Sequence, residues 1–355
     1  MLEIEKILNE KSIKSPNEDI FRLIKQRWDS VSKPLDSMGE FETLLSRIGA
    51  IQNRTMPTLN RCIALVYAAD NGIVSEGVSQ AGQEITAICA DAIADGKKSV
   101  SVMAKANNIE VRLIDVGVNA NLSSPNVIDE KIRFGTRDFL IEPAMTEEET
   151  LMAMEAGYRQ ALRCHDEGAD AVLIGEIGIG NTTTSSVVAA AFLKKDAEAV
   201  TGRGAGLSDE GLRRKIEVIN SAVQKYDLQN ADPLKVLSIG GGYDIAAMCG
   251  TIIGCAVCSM PLILDGMISA AAALVACRLV DGVKDYLLAS HCSREGAGKM
   301  MLDELGLKPV IYADMALGEG TGAVMMVPLL RTALQVLAEC STFDDDGIEA
   351  YKHFK

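Results

Sequence analysis

Histidine is scarce in this chain of 355 residues, with only three copies, and no serine sits in a GxSxG elbow. Together these absences argue against a Ser/His hydrolase, although ASHCSREGAG does place His291 and Ser293 at what reads as a strand end. The 35 lysines and arginines form no dense block, and the net charge is -14, so phosphate backbones and anionic lipid are repelled. Neither nucleic acid nor a membrane is expected as a partner. No uncharged apolar run of about 18 residues stands alone as a membrane span; the longest candidate, Ile252 to Ile268, is broken by Pro261 and Asp265. The opening MLEIEKILNEKS is charged and amphipathic, unlike a signal peptide, which points to the cytoplasm. Nine cysteines, an odd number, lie mostly in apolar segments such as AAMCGTIIGCAVC and read as small core residues of a reducing compartment. Cys255 and Cys258 form a CxxC with no second pair and no histidine nearby, so no metal is expected.

What is present suits one large α/β domain or two unequal ones. In SPNEDIFRLIKQRWDSV, Ser15 reads as an N-cap, Pro16 as the first helical residue and Glu18 as the close of a capping box, with Phe21, Ile24 and Trp28 on one face. From about residue 60 the pattern changes to short apolar runs, each ending in glycine or a polar turn: CIALVYAAD, VRLIDVGV, AVLIGE, KVLSIGGG, PLILDG and YLLASH. Unbroken apolar runs of this length predict buried strands of a parallel, Rossmann-like sheet with helices on both faces. The final helical pattern, VPLLRTALQVLAEC, is expected to return beside the first. That yields a small helical domain from residues 1–58 and 324–355 around a large α/β domain at 59–323.

Ligands of such sheets sit beyond the carboxyl ends of the strands, so the glycine-rich corners carry the functional question. In IGEIGIGNTTTSS, Glu176 ends an apolar run, Gly178 and Gly180 admit close approach of a ligand, and Asn181 with Thr182 to Thr184 opens a helix. Free N–H groups at such a start favour phosphate, but the same residues also make an ordinary tight strand-to-helix turn. The corner is neither a P-loop nor a GxGxxG fingerprint. TGRGAGLSDEGLRRKIEVI adds Arg203 and, on its helix, Lys215; isolated basic residues of this kind are ordinarily solvated. SIGGGYDIAAM repeats the glycine-then-helix arrangement, and MALGEGTGA sets Glu319 between two glycines. A loop glutamate is usually inert, yet exclusion of water would raise its pKa toward that of a general base.

KPLDSMGEFETL, AADNGIVSEGVS, GEIGIGNTTTSS, TGRGAGLSDEGLRRKI, SIGGGYDIAAM, LDGMISAAAALVA, SHCSREGAG and LGEGTGA occur in an order that resembles the nicotinate-nucleotide:dimethylbenzimidazole phosphoribosyltransferase family, from about Lys33 to Phe343. The resemblance implies transfer of 5-phosphoribose from nicotinate mononucleotide to the base of a cobamide lower ligand, with release of nicotinate and inversion at the anomeric carbon. No cofactor is implied, and the family enzymes are homodimers. By motif, Glu319 matches the general base and Glu176 the second carboxylate. Gly178, Gly180, Asn181 and Thr182 match the nucleotide cradle, with Gly204, Lys215 and Ser293. The acceptor pocket maps to Ala81, Cys89, Ile177 and Leu317.

Departures from the family pattern gather at that pocket. The usual ADHG reads ADNG, with Asn71 for histidine, and the usual KPPGSLG reads KPLDSMG. Ala81 and Cys89 in QAGQEITAIC stand where polar residues are common, and Ile177 adds an apolar wall. Some relatives activate phenol or p-cresol, so a phenolic acceptor, and with it a heterodimer of paralogous chains, is a second reading. A non-catalytic nucleotide-binding partner subunit is a third, opposed by the presence of both Glu319 and Glu176. Simple hydrolysis of nicotinate mononucleotide is a fourth.

Overall fold

The apolar runs form the sheet. The computed structural model, which describes residues 2–353, contains strands Cys62–Ala69 (β1), Glu110–Gly117 (β2), Ile128–Asp129 (β3), Ala171–Ile177 (β4), Leu262–Leu264 (β5) and Leu287–Ala289 (β6). All pairs are parallel, in the order β3-β2-β1-β4-β5-β6. This is the expected α/β sheet. Because β1 has β2 on one side and β4 on the other, the strand order reverses at β1, and the crevice opens beyond the carboxyl ends of β4, β5 and β6. The register pairs Tyr67 with Glu176, which sets Glu176 at the lip of that crevice.

Strand β1 is buried throughout, and alternate side chains serve two cores. Ile63, Leu65 and Tyr67 face helices such as Glu147–Asp166, Tyr243–Val257 and Met267–Leu279. Ala64, Val66 and Ala68 share the opposite core with Trp28, Leu45 and Val327. The first core contains a close crossing of helices Glu147–Asp166 and Tyr243–Val257: a Cβ on Gly157 would lie 1.8 Å from the Ala247 carbonyl oxygen, and one on Gly250 1.8 Å from that of Met154. Gly250→Val is therefore expected to reduce stability by about 3 kcal/mol through overpacking, read as a lower urea midpoint at unchanged slope.

One expected strand is a helix. KVLSIGGG lies in helix Pro233–Gly240, because Asp232 caps it, accepting the Lys235 N–H at 3.1 Å, and Pro233 supplies the first helical φ. Strand β3, only two residues long, carries no readable pattern. The first long helix is Glu18–Ser30, and its cap is Asn17 rather than Ser15. Asn17 Oδ1 accepts the N–H groups of Asp19 and Ile20, leaving Pro16 outside. Ile24 and Trp28 are fully buried, whereas Phe21 stays at the edge.

Helix Thr321–Glu339 does return to that first helix: Arg27 Nε donates to the Leu337 carbonyl at 3.1 Å, and Val31 bridges Thr342. By length and composition this helix is apolar enough to cross a membrane, contrary to the absence of such a run expected from sequence. Half of it is buried, however, and Arg331 within it donates to the carbonyls of Leu59 and Asn60 at 2.9 and 3.2 Å. It is packed as a core helix of this fold. The opening segment forms helix Glu3–Glu10 against helix Glu147–Asp166, where the buried Glu155 accepts the Ile4 N–H at 2.9 Å.

Candidate active site

The corners after β4, β5 and β6 meet the loop at 202–206 and the turn at 316–320 around one cavity. Glycine is required where the corners touch. A Cβ on Gly178 would lie 2.3 Å from the Ala69 carbonyl oxygen, so only glycine lets the β4 corner close against the end of β1. Gly180 follows as the cap of helix Asn181–Leu193.

Asn181 organises the acidic side of the cavity. Its Nδ2 donates to Asp244 Oδ2 at 3.0 Å and also to Glu176 Oε2, so one amide ties two buried carboxyl groups. Burial, then the neighbouring Asp244, pushes Glu176 up to about 8, with smaller contributions from Asp265 and Glu319 and opposition from the Asn181 hydrogen bond. Burial likewise pushes Asp244 up to about 6. Asp265 is also raised by burial, opposed by His291 and by the N–H groups of Gly322 and Gly320. A carboxyl raised in the fold holds its proton there while the unfolded chain has lost it. The stability Glu176 contributes is thus full below its ordinary 4.5 and lost as pH rises through about 8. Glu176→Gln should flatten this decline by on the order of 2 kcal/mol between about pH 5 and 8, as measured by denaturation at several pH values.

Lys215 marks the opposite side. It rises from helix Asp209–Lys225, is fully buried, and donates from Nζ to Thr182 Oγ1 at 2.8 Å and to the Gly202 carbonyl at 3.3 Å. Burial brings it down to about 8, opposed by Glu295. It is not the solvated lysine its helix suggests. Arg203 is half exposed, paired with Asp209, and faces a side opening shared with Gly204.

Glu319 lies on a turn of three left-handed residues, with φ of 82° at Gly318, 62° at Glu319 and 91° at Gly320. The turn rests on β4, since a Cβ on Gly175 would lie 2.4 Å from the Gly320 nitrogen, and the Glu319 N–H donates to the Glu176 carbonyl at 3.2 Å. The Glu319 carboxylate accepts the Val100 N–H at 3.2 Å, at the start of helix Ser99–Ala106. The cavity wall at this point is Gly318, whose Cβ would sit 2.6 Å from Glu176 Oε1. The two glutamates therefore flank one turn.

Of the residues read from sequence, Glu176, Ile177, Gly178, Asn181, Thr182, Gly204, Ser293 and Leu317 line the cavity, and Leu317 is 56% exposed at its mouth. Gly180 and Lys215 stand just behind Asn181 and Thr182. Glu319, Ala81 and Cys89 do not line it; Glu319 lies behind Gly318, with its carboxylate on the Val100 N–H. Cys89 is buried in helix Glu84–Ala94, which reaches the site through Thr86, whose Oγ1 accepts the Ile179 N–H at 3.0 Å; Ala81 precedes that helix. Asn71 braces the β4 corner from behind, donating to the Ile179 carbonyl at 3.3 Å, so its replacement of histidine does not alter the cavity wall. Sequence reasoning passed over Asp244 and Asp265. The signal was a carboxylate immediately after a glycine run in GGGYD and at the strand end in LDG. Among the described residues no cluster of His, Cys, Asp and Glu has the geometry of a metal site.

A parallel sheet whose crevice sets buried carboxyl groups against a glycine-lined cradle with a buried lysine has the build of an enzyme that works on an anionic nucleotide. A family model described as phosphoribosyltransferase matches residues 13–348. The nicotinate-nucleotide–dimethylbenzimidazole phosphoribosyltransferases of Acetivibrio thermocellus and Desulforamulus reducens are 35% and 38% identical to this chain, covering 96% and 95% of it and 97% and 96% of their own lengths. The crystal structure of CobT from Thermus thermophilus matches with a TM-score of 0.89 at 38% identity, over 94% of this chain and 100% of that one. The chain belongs to the nicotinate-nucleotide–dimethylbenzimidazole phosphoribosyltransferase family, as its motifs suggested.

Proposed function

We propose that this enzyme transfers 5-phosphoribose from nicotinate mononucleotide to the aromatic base of a cobamide lower ligand, with 5,6-dimethylbenzimidazole as its principal acceptor, giving an α-riboside 5'-phosphate and nicotinate. The observation that carries this reading is the polarity of the cavity, with Glu176 and Asp244 on Asn181 at one side and Lys215 behind Thr182 at the other. A cationic ribosyl centre belongs with the carboxylates, and the phosphate belongs with Lys215, Gly204, Ser293 and the corner formed by Gly178, Gly180, Asn181 and Thr182. One ring nitrogen of the base attacks the anomeric carbon, the bond to nicotinate breaks, and its electron pair returns to the pyridinium ring. The leaving group therefore needs no acid. Glu319, released from the Val100 N–H, takes the proton from the other ring nitrogen. Glu176, pushed up to about 8, keeps its proton through the cycle and stabilises the forming cation as a dipole rather than as a charge.

Ile177 and Leu317 give the mouth an apolar wall, which also suits a phenolic acceptor. Ala81 and Cys89 lie off that wall, which Ile179, Met267 and Ile268 extend, and dimethylbenzimidazole is preferred because the similar enzymes are named for it. A nucleotide-binding subunit without activity would need the cradle but not two carboxylates on the adjoining turn. Helices Glu84–Ala94, Ser99–Ala106 and Thr321–Glu339 pack in series and leave Ile85, Ile88, Val102, Met325 and Leu329 exposed, a face that a second copy would cover, which supports a homodimer as the working form.

The test is a competition among equimolar 5,6-dimethylbenzimidazole, adenine, phenol and p-cresol with nicotinate mononucleotide, products being resolved by mass. A benzimidazole riboside should dominate. A dominant phenolic riboside would replace the acceptor assignment, and nicotinate release without any riboside would replace transfer by hydrolysis.

A further inference from the structure

His291 has no task in the reaction as derived above, yet its ring is fixed more tightly than packing alone would require. It lies just beyond β6, where the backbone is held by a parallel bridge to Ile311. The imidazole sits between two glycines. A Cβ on Gly322 would fall 1.9 Å from Nδ1, and one on Gly266 would fall 3.3 Å from both Cε1 and Nε2. No larger residue fits at 322 without displacing the ring.

The hydrogen bonds determine which nitrogen carries the proton. Ser290 Oγ donates its single hydrogen to the Asp265 carbonyl at 3.3 Å, so towards Nδ1, 3.2 Å away, it acts as an acceptor. Asp265 Oδ1, also an acceptor, is 3.7 Å from the same nitrogen. The Asp265 carboxylate is itself held by the N–H groups of Gly320 and Gly322 at 3.1 and 2.7 Å, the start of helix Thr321–Glu339. In the neutral imidazole Nδ1 therefore bears the hydrogen, and Nε2 carries a lone pair. Among the described residues Nε2 has no hydrogen-bond partner. The residue is only 3% exposed, and the space it borders is the cavity. Nε2 opens on the cavity rather than on packed protein, so a donor from the ligand can reach it.

The chemistry of a pyridine mononucleotide leaves few donors. Its phosphate and its nicotinate carboxylate are acceptors when ionised, and the pyridinium ring has no N–H. The ribose hydroxyls alone donate. His291 also stands in the right part of the cavity for the sugar, with Asp265 and Gly266 on one side of it and Ser293 two residues further along the cradle.

We propose that His291 Nε2 accepts a hydrogen bond from a ribose hydroxyl of the bound nucleotide, with Ser290 and Asp265 as positioning residues that hold the ring in the required tautomer. This rests on the reading of the site as one for phosphoribosyl transfer from nicotinate mononucleotide. It makes His291 a substrate-contacting residue that distinguishes ribose from deoxyribose.

The experiment measures, by calorimetry on the wild type, His291→Ala and His291→Gln, the affinity for nicotinate mononucleotide and for its 2'-deoxy and 3'-deoxy counterparts. Wild type should bind one deoxy analogue about 10-fold more weakly than the parent. His291→Ala should weaken the parent by a similar factor and no longer distinguish it from that analogue. His291→Gln, which keeps an acceptor oxygen, should recover part of the difference. A structural role alone would weaken all three ligands equally in His291→Ala, and that outcome overturns the proposal, as does unchanged affinity for the parent. Failure of the wild type to bind nicotinate mononucleotide would instead overturn the functional reading on which the proposal stands.

Discussion

Glu319→Gln is expected to lower turnover by roughly 10²- to 10⁴-fold while nicotinate mononucleotide still binds within about 2-fold of wild type. Glutamine has the same shape, and its side-chain oxygen can go on accepting the Val100 N–H, so the left-handed turn of Gly318, Glu319 and Gly320 has no reason to rearrange. It lacks only the ability to take a proton. The turn also borders the cavity through Gly318 and Leu317, but glutamine keeps its backbone in place, so nucleotide affinity is expected to hold. Single-turnover rates with 5,6-dimethylbenzimidazole, paired with calorimetric titration of the nucleotide, check both halves. Unaltered turnover would remove Glu319 from the proton-transfer step.

Lys215→Met should weaken nucleotide binding by roughly 10- to 100-fold, the range for loss of a hydrogen bond to a charged group. Methionine fills comparable space and leaves no charge in the pocket. The pH dependence of the wild type carries the same signature. Burial holds the Lys215 ammonium down to about 8, so before the nucleotide binds it is charged below that pH and neutral above it. A phosphate restores the proton, and affinity should fall as pH climbs past about 8, whereas in Lys215→Met it should be flat across that interval. The stability sign is also defined. With a folded pKa of about 8 against the ordinary 10.5, the unfolded chain binds more protons in that window, so this residue's contribution to stability grows as pH rises through it.

Five of the six apolar runs read as strands are strands, because unbroken burial on both faces leaves a pattern that needs no partner to be recognised. KVLSIGGG misled for a physical reason. A short apolar run before glycines is equally a buried helix, and Asp232 and Pro233, which settle the matter, lie at the run's leading edge. Within the site, Glu176 and Glu319 were legible because a carboxylate among glycines is unusual wherever it falls. Lys215 was legible only through the motif, since its helix carries several arginines and lysines and tertiary packing alone turns this one inward to Thr182. Asp265 was illegible as a functional group since its partners, the N–H groups of Gly320 and Gly322, are more than fifty residues away. Ala81 and Cys89 came from motif order rather than from a residue pattern, and Ala81 lies before helix Glu84–Ala94 while Cys89 lies within it.

Helix Thr321–Glu339 is anchored at one end by Asp265, beside Glu319, and at the other by Arg27 on the first long helix. Nineteen residues at ~1.5 Å each make a rod of about 28 Å. A rotation of about 2° at its far end displaces the near end by roughly 1 Å, a misplacement that in a catalytic group typically slows reaction by about 10²-fold. The helices from the two chain ends are thus coupled through this rod to the turn that carries Glu319.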